Sequence, residues 1–424
     1  MKLAICYQHV HPQRGGAETY IADLCRALAR RGHEVELLAE THDPKAIDPR
    51  VAVRAITRSG RTSLGRIWNF ALACEQVLAA STAAHDASIG FINTWGQDIL
   101  IPQGGVRPAS LEANARRFAH PAGRALYTLA KQANPKWWVY RAIEARQYDP
   151  ARNTRIIAVS AMVRDHLMRF HRVPSDRIRV IHNAIDSERI HVASQMSARS
   201  RLRTSAGVPA SATVALFTGH NFRLKGLSPL LQALASSRHR GGPPVHVLIC
   251  GSGDASSFET EAKLMGVADR VHFAGFVADV RDAYAASDFF VLPTYYDPCS
   301  LVVFEALATG LPVITTRCNG AGELITPNRQ GTVVDHPDAI DQLAAALNHW
   351  ADPTARAAGA KHALQLAARH TFDAHVDRLL EVAEDVAREK KARPNRPTIT
   401  THTPATDPRG RAQRYISSAT TQEA

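Results

Sequence analysis

Residues 295–316 read Tyr-Tyr-Asp-Pro-Cys-Ser-Leu-Val-Val-Phe-Glu-Ala-Leu-Ala-Thr-Gly-Leu-Pro-Val-Ile-Thr-Thr and decide the fold. The apolar run 289–293 before them predicts a buried strand that ends at a proline. A helix is predicted from Leu301 to Ala308, with Gly310 at its C-terminal stop and a second strand after it. The loop between a parallel strand and its helix lies at the carboxyl edge of the sheet, where open α/β sheets bind ligands.

This loop and helix carry two carboxylates, Asp297 and Glu305. The backbone N–H groups of Ser300, Leu301 and Val302 would be free at the helix N-terminus, which is a favourable seat for a phosphate. The stretch therefore predicts an anion-binding edge with acidic residues beside it. Taken alone, Asp297 could equally start a turn, and Glu305 could be a solvated helix residue.

The run from Asp297 to Val313 resembles the acidic-x7-Glu signature of the retaining family 4 (group 1) glycosyltransferases, including the trailing Gly-Leu-Pro. The resemblance covers about residues 1–390 and implies an α/β protein of GT-B fold, in which two Rossmann-like doubly wound domains face each other across a cleft. It implies that Glu305 binds the nucleotide ribose, that Asp297 lies beside the donor sugar and that the intervening backbone holds the diphosphate. The family usually has glutamate at the position of Asp297, so we expect an effect on sugar preference or rate.

The composition indicates a globular protein of two or three domains, since the chain has 424 residues of which 45% are hydrophobic and 21% are charged. No apolar run approaches the roughly 20 residues needed to span a bilayer, and the N-terminus is more typical of a first strand than of a signal peptide. The six cysteines are scattered, without Cys-x-x-Cys pairs or metal-ligand spacing. We therefore expect buried free thiols, no metal site and a cytoplasmic location.

The net charge of +12 predicts an anionic partner, which could be nucleic acid, an anionic membrane surface or an anionic small molecule. The sequence has no zinc-finger, RNP-like or helix-turn-helix signature, so we expect no nucleic-acid partner.

One basic segment, 111–148, carries interleaved aromatic residues and predicts contact with an anionic membrane surface. In the alternative, the aromatic residues are core and the charges lie on a solvated face. The lipopolysaccharide-core glucosyltransferases, which the chain resembles, have a basic insert at this place. The candidate membrane contacts are Arg116, Arg117, Arg124, Lys131, Lys136, Trp137 and Trp138.

The beginning of the chain predicts a strand, a glycine loop, a helix and a second strand, which places Gly15 and Gly16 at an edge where a ligand can approach the backbone. The resemblance implies that these glycines face the cleft and contact the donor. A further strand is predicted at 87–92, and Asp98 follows it on what resembles the acceptor side of the cleft. Asp98 is therefore a candidate to hydrogen-bond an acceptor hydroxyl or to help its deprotonation, with a turn-forming role as the alternative.

A second alternation of strands and helices begins at 213–219 and predicts another doubly wound parallel sheet. Arg223 and Lys225 follow its first strand, and two cations beside a helix N-terminus suit a diphosphate leaving group. The resemblance implies that Lys225 with Gly226, and Arg223 at a more variable spacing, hold the donor diphosphate. It also places Phe276 at the nucleobase, although core packing would explain this residue as well.

These patterns divide the chain into an N-terminal acceptor-side domain, 1–190, and a C-terminal nucleotide-sugar-binding domain, 208–370, joined by a polar linker. A helix at 371–391 resembles the family's C-terminal helix, which crosses back onto the first domain. Residues 393–424 are rich in proline, threonine and arginine and predict a disordered basic tail.

The resemblance implies a retaining hexosyltransferase that moves a sugar from a nucleotide-diphosphate sugar, such as UDP-glucose, to a hydroxyl acceptor. A cell-envelope glycolipid or a precursor of lipopolysaccharide or polysaccharide fits the basic segment and would place the enzyme peripherally on the inner face of the cell membrane. No Asp-x-Asp triplet occurs, so we expect metal-independent catalysis with no cofactor beyond the donor. Lys225, Arg223 and the backbone at 301–302 would stabilise the charge that develops on the diphosphate.

Three alternatives stay open. A non-transferring GT-B enzyme, such as a sugar-nucleotide epimerase, would bind the donor without an acceptor. A non-enzymatic protein that binds an anionic membrane or nucleic acid would explain the charge but not the paired cleft loops. A dinucleotide dehydrogenase is disfavoured, because neither glycine loop reads Gly-x-Gly-x-x-Gly.

Overall fold

A computed structural model describes residues 1–57, 59–81, 84–118, 120–190 and 196–392. These residues form two domains, each built on a parallel β-sheet flanked by helices. The predicted disordered tail at 393–424 lies outside the described residues.

The N-terminal domain contains strands β1 (Lys2–Cys6), β2 (His9–Val10), β3 (Glu34–Ala39), β4 (Thr41–His42), β5 (Ala52–Ala55), β6 (Ala87–Gly90), β7 (Ile99–Leu100), β8 (Arg155–Ala158) and β9 (Ile178–Val180). Seven of them form one sheet in the order β5-β3-β1-β6-β7-β8-β9, while β2 pairs with β4. Its helices are α1 (Gly16–Arg30), α2 (Ser63–Ala80), α3 (Arg107–Arg116), α4 (Pro121–Ala133), α5 (Pro135–Gln147), α6 (Ala161–His171) and α7 (Ser187–Ile190). The three helices of the basic segment, α3 to α5, each have a proline in the first turn, where the missing N–H costs no hydrogen bond.

The C-terminal domain contains six parallel strands, β10 (Thr213–Thr218), β11 (Val245–Cys250), β12 (Val271–Gly275), β13 (Phe289–Leu292), β14 (Val313–Thr316) and β15 (Gly331–Val334). They form one sheet in the order β12-β11-β10-β13-β14-β15. The helices are α8 (Met196–Ser205), α9 (Leu227–His239), α10 (Ser256–Leu264), α11 (Val280–Ala285), α12 (Leu301–Ala308), α13 (Ile340–Ala351) and α14 (Pro353–Arg369).

Both sheets have the doubly wound order. The chain first adds strands on one side of the first strand of the sheet, and then returns to add the remaining strands on its other side. The strands are buried along their length where the sequence is apolar throughout, as in Phe289–Leu292. The switch points lie between β1 and β6 and between β10 and β13, so each sheet opens a crevice at its carboxyl edge. The predicted pair of doubly wound domains is confirmed.

Part of the predicted linker is a helix of the C-terminal domain. On α8, Arg203 is only 3% exposed and donates to the carbonyl of Ala286 at 2.8 Å and to Asp288 at 3.0 Å. Arg199, one turn earlier, donates to the same carboxylate at 2.7 Å. Because these arginines fasten α8 to the sheet, the C-terminal domain begins before residue 208.

The last helix, α15 (Phe372–Ala392), returns to the N-terminal domain. The buried ring of His375 donates through Nδ1 to the carbonyl of His182 at 2.9 Å and accepts through Nε2 from the Tyr20 hydroxyl at 2.7 Å. Burial lowers the pKa of His375 to about 3, so the ring is neutral. A neutral imidazole with both nitrogens bonded therefore fixes α15 against α1.

Two further features concern the cysteines and the apolar length of the helices. The six cysteines are free thiols, and all except Cys318 are buried. Across the described ranges, no helix is both long and apolar enough to cross a membrane.

Candidate active site

Three loops from the two domains converge at the carboxyl edges of the sheets. The loop after β1 and β2 holds Gly15 and Gly16, the loop after β10 holds Lys225, and the loop after β13 holds Asp297. Gly16 begins α1 and Leu301 begins α12, and a methyl group on Gly16 would lie 3.0 Å from Leu301 Cδ1. Two helix N-termini, one from each domain, therefore meet in the cleft, and glycine at position 16 permits their close approach.

Lys225 and Asp297, both predicted site residues, form an ion pair between Nζ and Oδ2. Their side chains are 23% and 10% exposed, so the pair is shielded but open to the cleft. Gly226 holds the preceding lysine in place, because its φ is +83° and a Cβ there would lie 1.9 Å from the carbonyl oxygen of Pro293. Glycine is thus required where the loop after β10 crosses the end of β13.

The N-terminus of α12 offers fewer free N–H groups than predicted. The N–H of Ser300 donates to Asn319 Oδ1 at 3.2 Å, and Asn319 Nδ2 donates in turn to Thr315 Oγ1 at 3.0 Å. The prediction of a free N–H at Ser300 is therefore wrong. Leu301 and Val302 are partly exposed residues of the first helical turn, whose N–H groups have no acceptor within the helix.

The carboxylate of Glu305 lies at the junction of the domains and is oriented by neighbouring side chains. Its side chain is 12% exposed, and Oε2 accepts a hydrogen bond from the Tyr284 hydroxyl at 2.7 Å. Its Oε1 lies 3.8 Å from Arg189 Nη2, and Arg189 also lies 3.6 Å from Asp23 of α1. Burial raises the pKa of Glu305, and the hydrogen bond from Tyr284 and the charge of Arg189 oppose the rise. Oε1 is consequently the oxygen left for a ligand.

Arg223 and Phe276 lie on the rim of the C-terminal crevice. Arg223 is exposed, with its guanidinium 5.8 Å from the centre of the Phe258 ring and 3.5 Å from Ser257 Oγ. Phe276 follows β12 and is 64% exposed, which rules out the alternative of core packing. A flat aromatic face at this edge is suited to stacking on a nucleobase.

Asp98 lies at the opposite edge of the N-terminal sheet, so its predicted role in the acceptor site is wrong. It precedes β7 and stands beside Ser88 near the start of β6, at the amino ends of these strands. Its Oδ2 accepts from the N–H and the hydroxyl of Ser88 at 2.8 and 2.7 Å, and from Lys390 Nζ at 3.0 Å. Asp98 therefore anchors α15 to the sheet.

The basic segment exposes apolar side chains. No residue of α4 is buried, and Leu126, Leu129 and Trp138 are 70%, 64% and 63% exposed. Core packing therefore does not explain these three side chains, whereas Ile143 near the end of α5 is buried. Among the other candidate membrane contacts, Arg116, Arg124, Lys131 and Lys136 are exposed, and Arg117 and Trp137 are partly exposed.

The loop that carries Asp297 is bonded to the N-terminal domain at points that the sequence analysis missed. The bonds run from Val106 N–H to Tyr296 Oη (2.9 Å), from Ser160 Oγ to the carbonyl of Pro298 (2.7 Å) and from Asn183 Nδ2 to the carbonyl of Cys299 (2.9 Å). One signal was available in Gly105, since its φ is +70° and a Cβ there would lie 2.2 Å from Tyr296 Oη. Residues of the N-terminal domain therefore help to fix the conformation of the loop that carries Asp297 in the C-terminal domain.

Glu323 makes a further contact between the domains. It accepts from the N–H groups of Ala161 and Met162, each at 2.8 Å, and so satisfies the first turn of α6. It also lies 2.7 Å from His182 Nε2. Burial would raise the pKa of Glu323, but the bonds from His182 and from the two N–H groups lower it below its usual value.

In the described part of the chain, no group of three or more His, Cys, Asp or Glu side chains is arranged to hold a metal ion. The cation that lies beside Asp297 in this structure is the ammonium group of Lys225.

The two domains match known families separately. Residues 14–189 match the family described as Glycosyltransferase Family 4, and residues 212–352 match Glycosyl transferases group 1. The lipopolysaccharide glucosyltransferase WaaG of Escherichia coli K12 is 25% identical over 347 residues, which cover 81% of this chain and 87% of that protein. A D-inositol 3-phosphate glycosyltransferase of Acidothermus cellulolyticus is 25% identical over 404 residues, which cover 89% and 87%.

Solved structures show the same two-domain architecture. The crystal structure of WaaG aligns with a TM-score of 0.71 at 22% identity, covering 91% of this chain and 99% of that one. The structure of Anabaena HepE in complex with UDP and glucose aligns with a TM-score of 0.63 at 19% identity, covering 92% and 100%. The expected GT-B fold is thereby confirmed.

Proposed function

The chain is a GT-B glycosyltransferase similar to the lipopolysaccharide-core glucosyltransferases, and we propose that it transfers a hexose from a UDP-sugar to a hydroxyl acceptor with retention of anomeric configuration. The observation that carries the proposal is the Lys225–Asp297 ion pair beside the N-terminus of α12, at the switch point of the C-terminal sheet. UDP as the nucleotide is supported by HepE, whose structure contains UDP and glucose. Glucose and a lipopolysaccharide-type acceptor are supported by the name of the WaaG relative.

In the proposed reaction, the bond between the sugar C1 and the diphosphate oxygen breaks, and its electron pair leaves with the diphosphate. Lys225 Nζ and the N–H groups of Leu301 and Val302 would stabilise this negative charge. Arg223, which is exposed on the rim of the crevice, would add a second cation. We therefore propose a reaction that needs no metal ion. Once the diphosphate engages Lys225, the carboxylate of Asp297 becomes free to accept hydrogen bonds from the sugar hydroxyls.

The acceptor oxygen forms the new bond to C1 and loses its proton. Since Asp98 is outside the cleft, the oxygen of the departing diphosphate, which gains negative charge as the reaction proceeds, would receive that proton. Glu305 Oε1 would accept from the ribose, while Tyr284 holds the other oxygen. Closure of the two domains would exclude water and limit hydrolysis of the donor.

We also propose that the enzyme lies peripherally on an anionic membrane surface, where a glycolipid acceptor would be found. Leu126, Leu129 and Trp138 would enter the interface, and Lys131 and Lys136 beside them would attract anionic headgroups.

The direct test is transfer by the full-length protein from radiolabelled UDP-glucose to an envelope glycolipid extract, with and without chelator. The proposal predicts label in the glycolipid fraction, no loss with chelator, and an α-linked product by NMR coupling constants. Release of a different UDP-sugar without any acceptor would instead support the epimerase. A β-linked product would contradict retention.

A further inference from the structure

A pocket of about 140 Å³ lies between α14 and the loop 324–330, which leads into β15. The carbonyl of Gln330 at the end of this loop accepts from the N–H of Val313, the first residue of β14, at 3.1 Å. The pocket therefore lies at the amino edge of the C-terminal sheet. The proposed donor site lies at the carboxyl edge, beyond strands that are about 13 Å long at four residues each.

The loop side of the pocket has a fixed conformation. Gln330 is buried, and its Nε2 donates to the carbonyl of Leu324 at 3.2 Å. The N–H of Arg329 donates to the carbonyl of Thr326 at 3.2 Å, which closes a tight turn. Both ends of the loop are thus held, and the turn places the side chains of Thr326 and Arg329 at the pocket.

The helix side of the pocket is one face of α14. His362, Gln365, Leu366 and Arg369 line it, and their spacing of three and four residues places them on the same face of the helix. Within the part of the chain that the structure describes, Nδ1 of His362 is buried without a hydrogen-bond partner. A neutral imidazole can carry its proton on Nδ1, so His362 has a donor that the protein itself does not use.

The pocket carries two positive charges that no carboxylate compensates. Two of its eight lining residues are arginines and none is acidic. Across the described ranges, neither Arg329 nor Arg369 has an Asp or Glu oxygen within 4.0 Å. Glu323, which precedes the loop, accepts instead from the N–H groups of Ala161 and Met162 in the N-terminal domain. The two guanidinium groups are therefore available to an anion.

The volume and the donors of the pocket indicate the kind of anion. One water needs roughly 10–15 Å³, so the pocket has room for a group of several heavy atoms. A carboxylate presents two oxygens, whereas a phosphate monoester presents three and can face both guanidinium groups and a neutral donor at once. Arginine also binds phosphate through two parallel hydrogen bonds.

We propose that this pocket binds the phosphate group of a small soluble molecule, held by Arg329 and Arg369 with His362 as a further donor. We name it the phosphate pocket. Soluble phosphate compounds and lipid headgroups share this group, so the test includes both. The proposal does not depend on the proposed function, because the two sites lie at opposite edges of the sheet.

The test titrates the full-length protein with inorganic phosphate and with glycerol 3-phosphate, by calorimetry, with UDP present to occupy the proposed donor site. We expect at least one of the two compounds to bind. Arg329→Gln with Arg369→Gln should weaken that binding by at least about tenfold, because charge-assisted hydrogen bonds are lost. Arg329→Lys with Arg369→Lys should keep part of the affinity, since the charge remains but the paired hydrogen bonds do not.

The matched control removes the same charge elsewhere, through Arg54→Gln with Arg201→Gln, two exposed arginines that do not line the pocket. This control should bind phosphate as the wild type does. The side chains of Arg329 and Arg369 make no hydrogen bond or ion pair with the described residues. The pocket variant should therefore keep the melting temperature of the wild type.

Equal binding by the wild type and the glutamine variant, or no binding of either phosphate compound by the wild type, would overturn the phosphate pocket. Binding to phosphatidylglycerol vesicles that requires the two arginines, without binding of a soluble phosphate, would assign them to a lipid surface and contradict the proposal. Failure of UDP to bind would count against the proposed function alone, since the comparison of the variants still locates the phosphate.

Discussion

Lys225 forms an ion pair with Asp297 across 72 residues of sequence, and this pair joins the loop after β10 to the loop after β13. Without a donor, the lysine neutralises a carboxylate that is only 10% exposed. A diphosphate would compete for the same ammonium group. In the proposed donor site, binding of the diphosphate would transfer the lysine from Asp297 to the phosphates and free the carboxylate for the sugar.

Lys225→Ala should lower kcat about 100-fold or more while changing donor affinity less, because the lysine acts mainly on charge that develops as the leaving group departs. Steady-state kinetics and direct donor titration measure the two effects. Lys225→Arg should recover part of the rate. A variant with normal kcat and weakened donor binding would show that Lys225 contributes ground-state binding only.

Glu305→Ala should weaken binding of the UDP-sugar by roughly 2–3 kcal/mol, as expected for the loss of hydrogen bonds to a charged group. Tyr284→Phe serves as the companion variant, since it frees Glu305 Oε2 without removing the carboxylate, and its effect should be smaller. Calorimetry with UDP-glucose compares them. Unchanged affinity in Glu305→Ala would exclude Glu305 from the ribose site.

Asp297→Glu should alter the sugar preference, because one added methylene moves the carboxylate within a closely packed loop. We expect the ratio of kcat/KM for UDP-glucose over UDP-galactose to change about tenfold. The same ratio in wild type and variant would show that Asp297 does not contact the hydroxyls that distinguish these sugars.

Membrane binding should depend on the apolar side chains of the basic segment. Leu126→Gln with Leu129→Gln should reduce binding to vesicles of anionic lipid by about tenfold, since each leucine would contribute apolar burial. Leu264→Gln is the matched control, because Leu264 is 85% exposed on the other domain and should have no effect. Equal binding by all three proteins in a sedimentation assay would rule out this surface.

Stability should fall as the pH decreases from 7 to 5. His375 has a pKa of about 3 in the folded protein and an ordinary value near 6.5 when unfolded. The unfolded state therefore binds more protons between these values, and unfolding becomes more favourable by up to about 1.4 kcal/mol per pH unit.

The urea midpoint of His375→Gln should thus depend less on pH than that of the wild type. An identical pH dependence would show that His375 does not carry it. The variant should keep part of the pH dependence of stability, because burial also lowers the pKa of five other histidines. These are His33, His166, His246, His272 and His370.

The local pattern was enough to predict the doubly wound sheets and the positions of several candidate site residues, whereas the GT-B arrangement of the two domains was implied by the resemblance. Apolar strands, glycine loops and helix stops placed Gly16, Lys225 and Asp297 at carboxyl edges, because topology alone brings such loops together. Phe276 was ambiguous in sequence, since core packing explained it as well as a place at the nucleobase did, and its exposure excludes core packing.

The wrong or missed predictions concern contacts between residues that are far apart in the sequence. Asp98 was assigned to the cleft through the resemblance, as part of the region that follows the strand predicted at 87–92. It instead directly precedes β7, which begins at Ile99, so it lies at the amino edge of the sheet and pairs with Lys390. The N–H of Ser300 donates to the side-chain oxygen of Asn319, which lies 19 residues later in the sequence. Likewise, the contact of Arg189 with Glu305 depends on how the domains dock, which no local pattern encodes.

The central claim is a donor site built from Lys225, Asp297 and Glu305, and calorimetric titration of the full-length protein with UDP-, GDP- and ADP-glucose, with and without chelator, tests it most directly. The account predicts binding of UDP-glucose that chelator does not change and that Glu305→Ala weakens. Binding that requires a divalent metal, or no binding of any of the three sugar nucleotides, would contradict it.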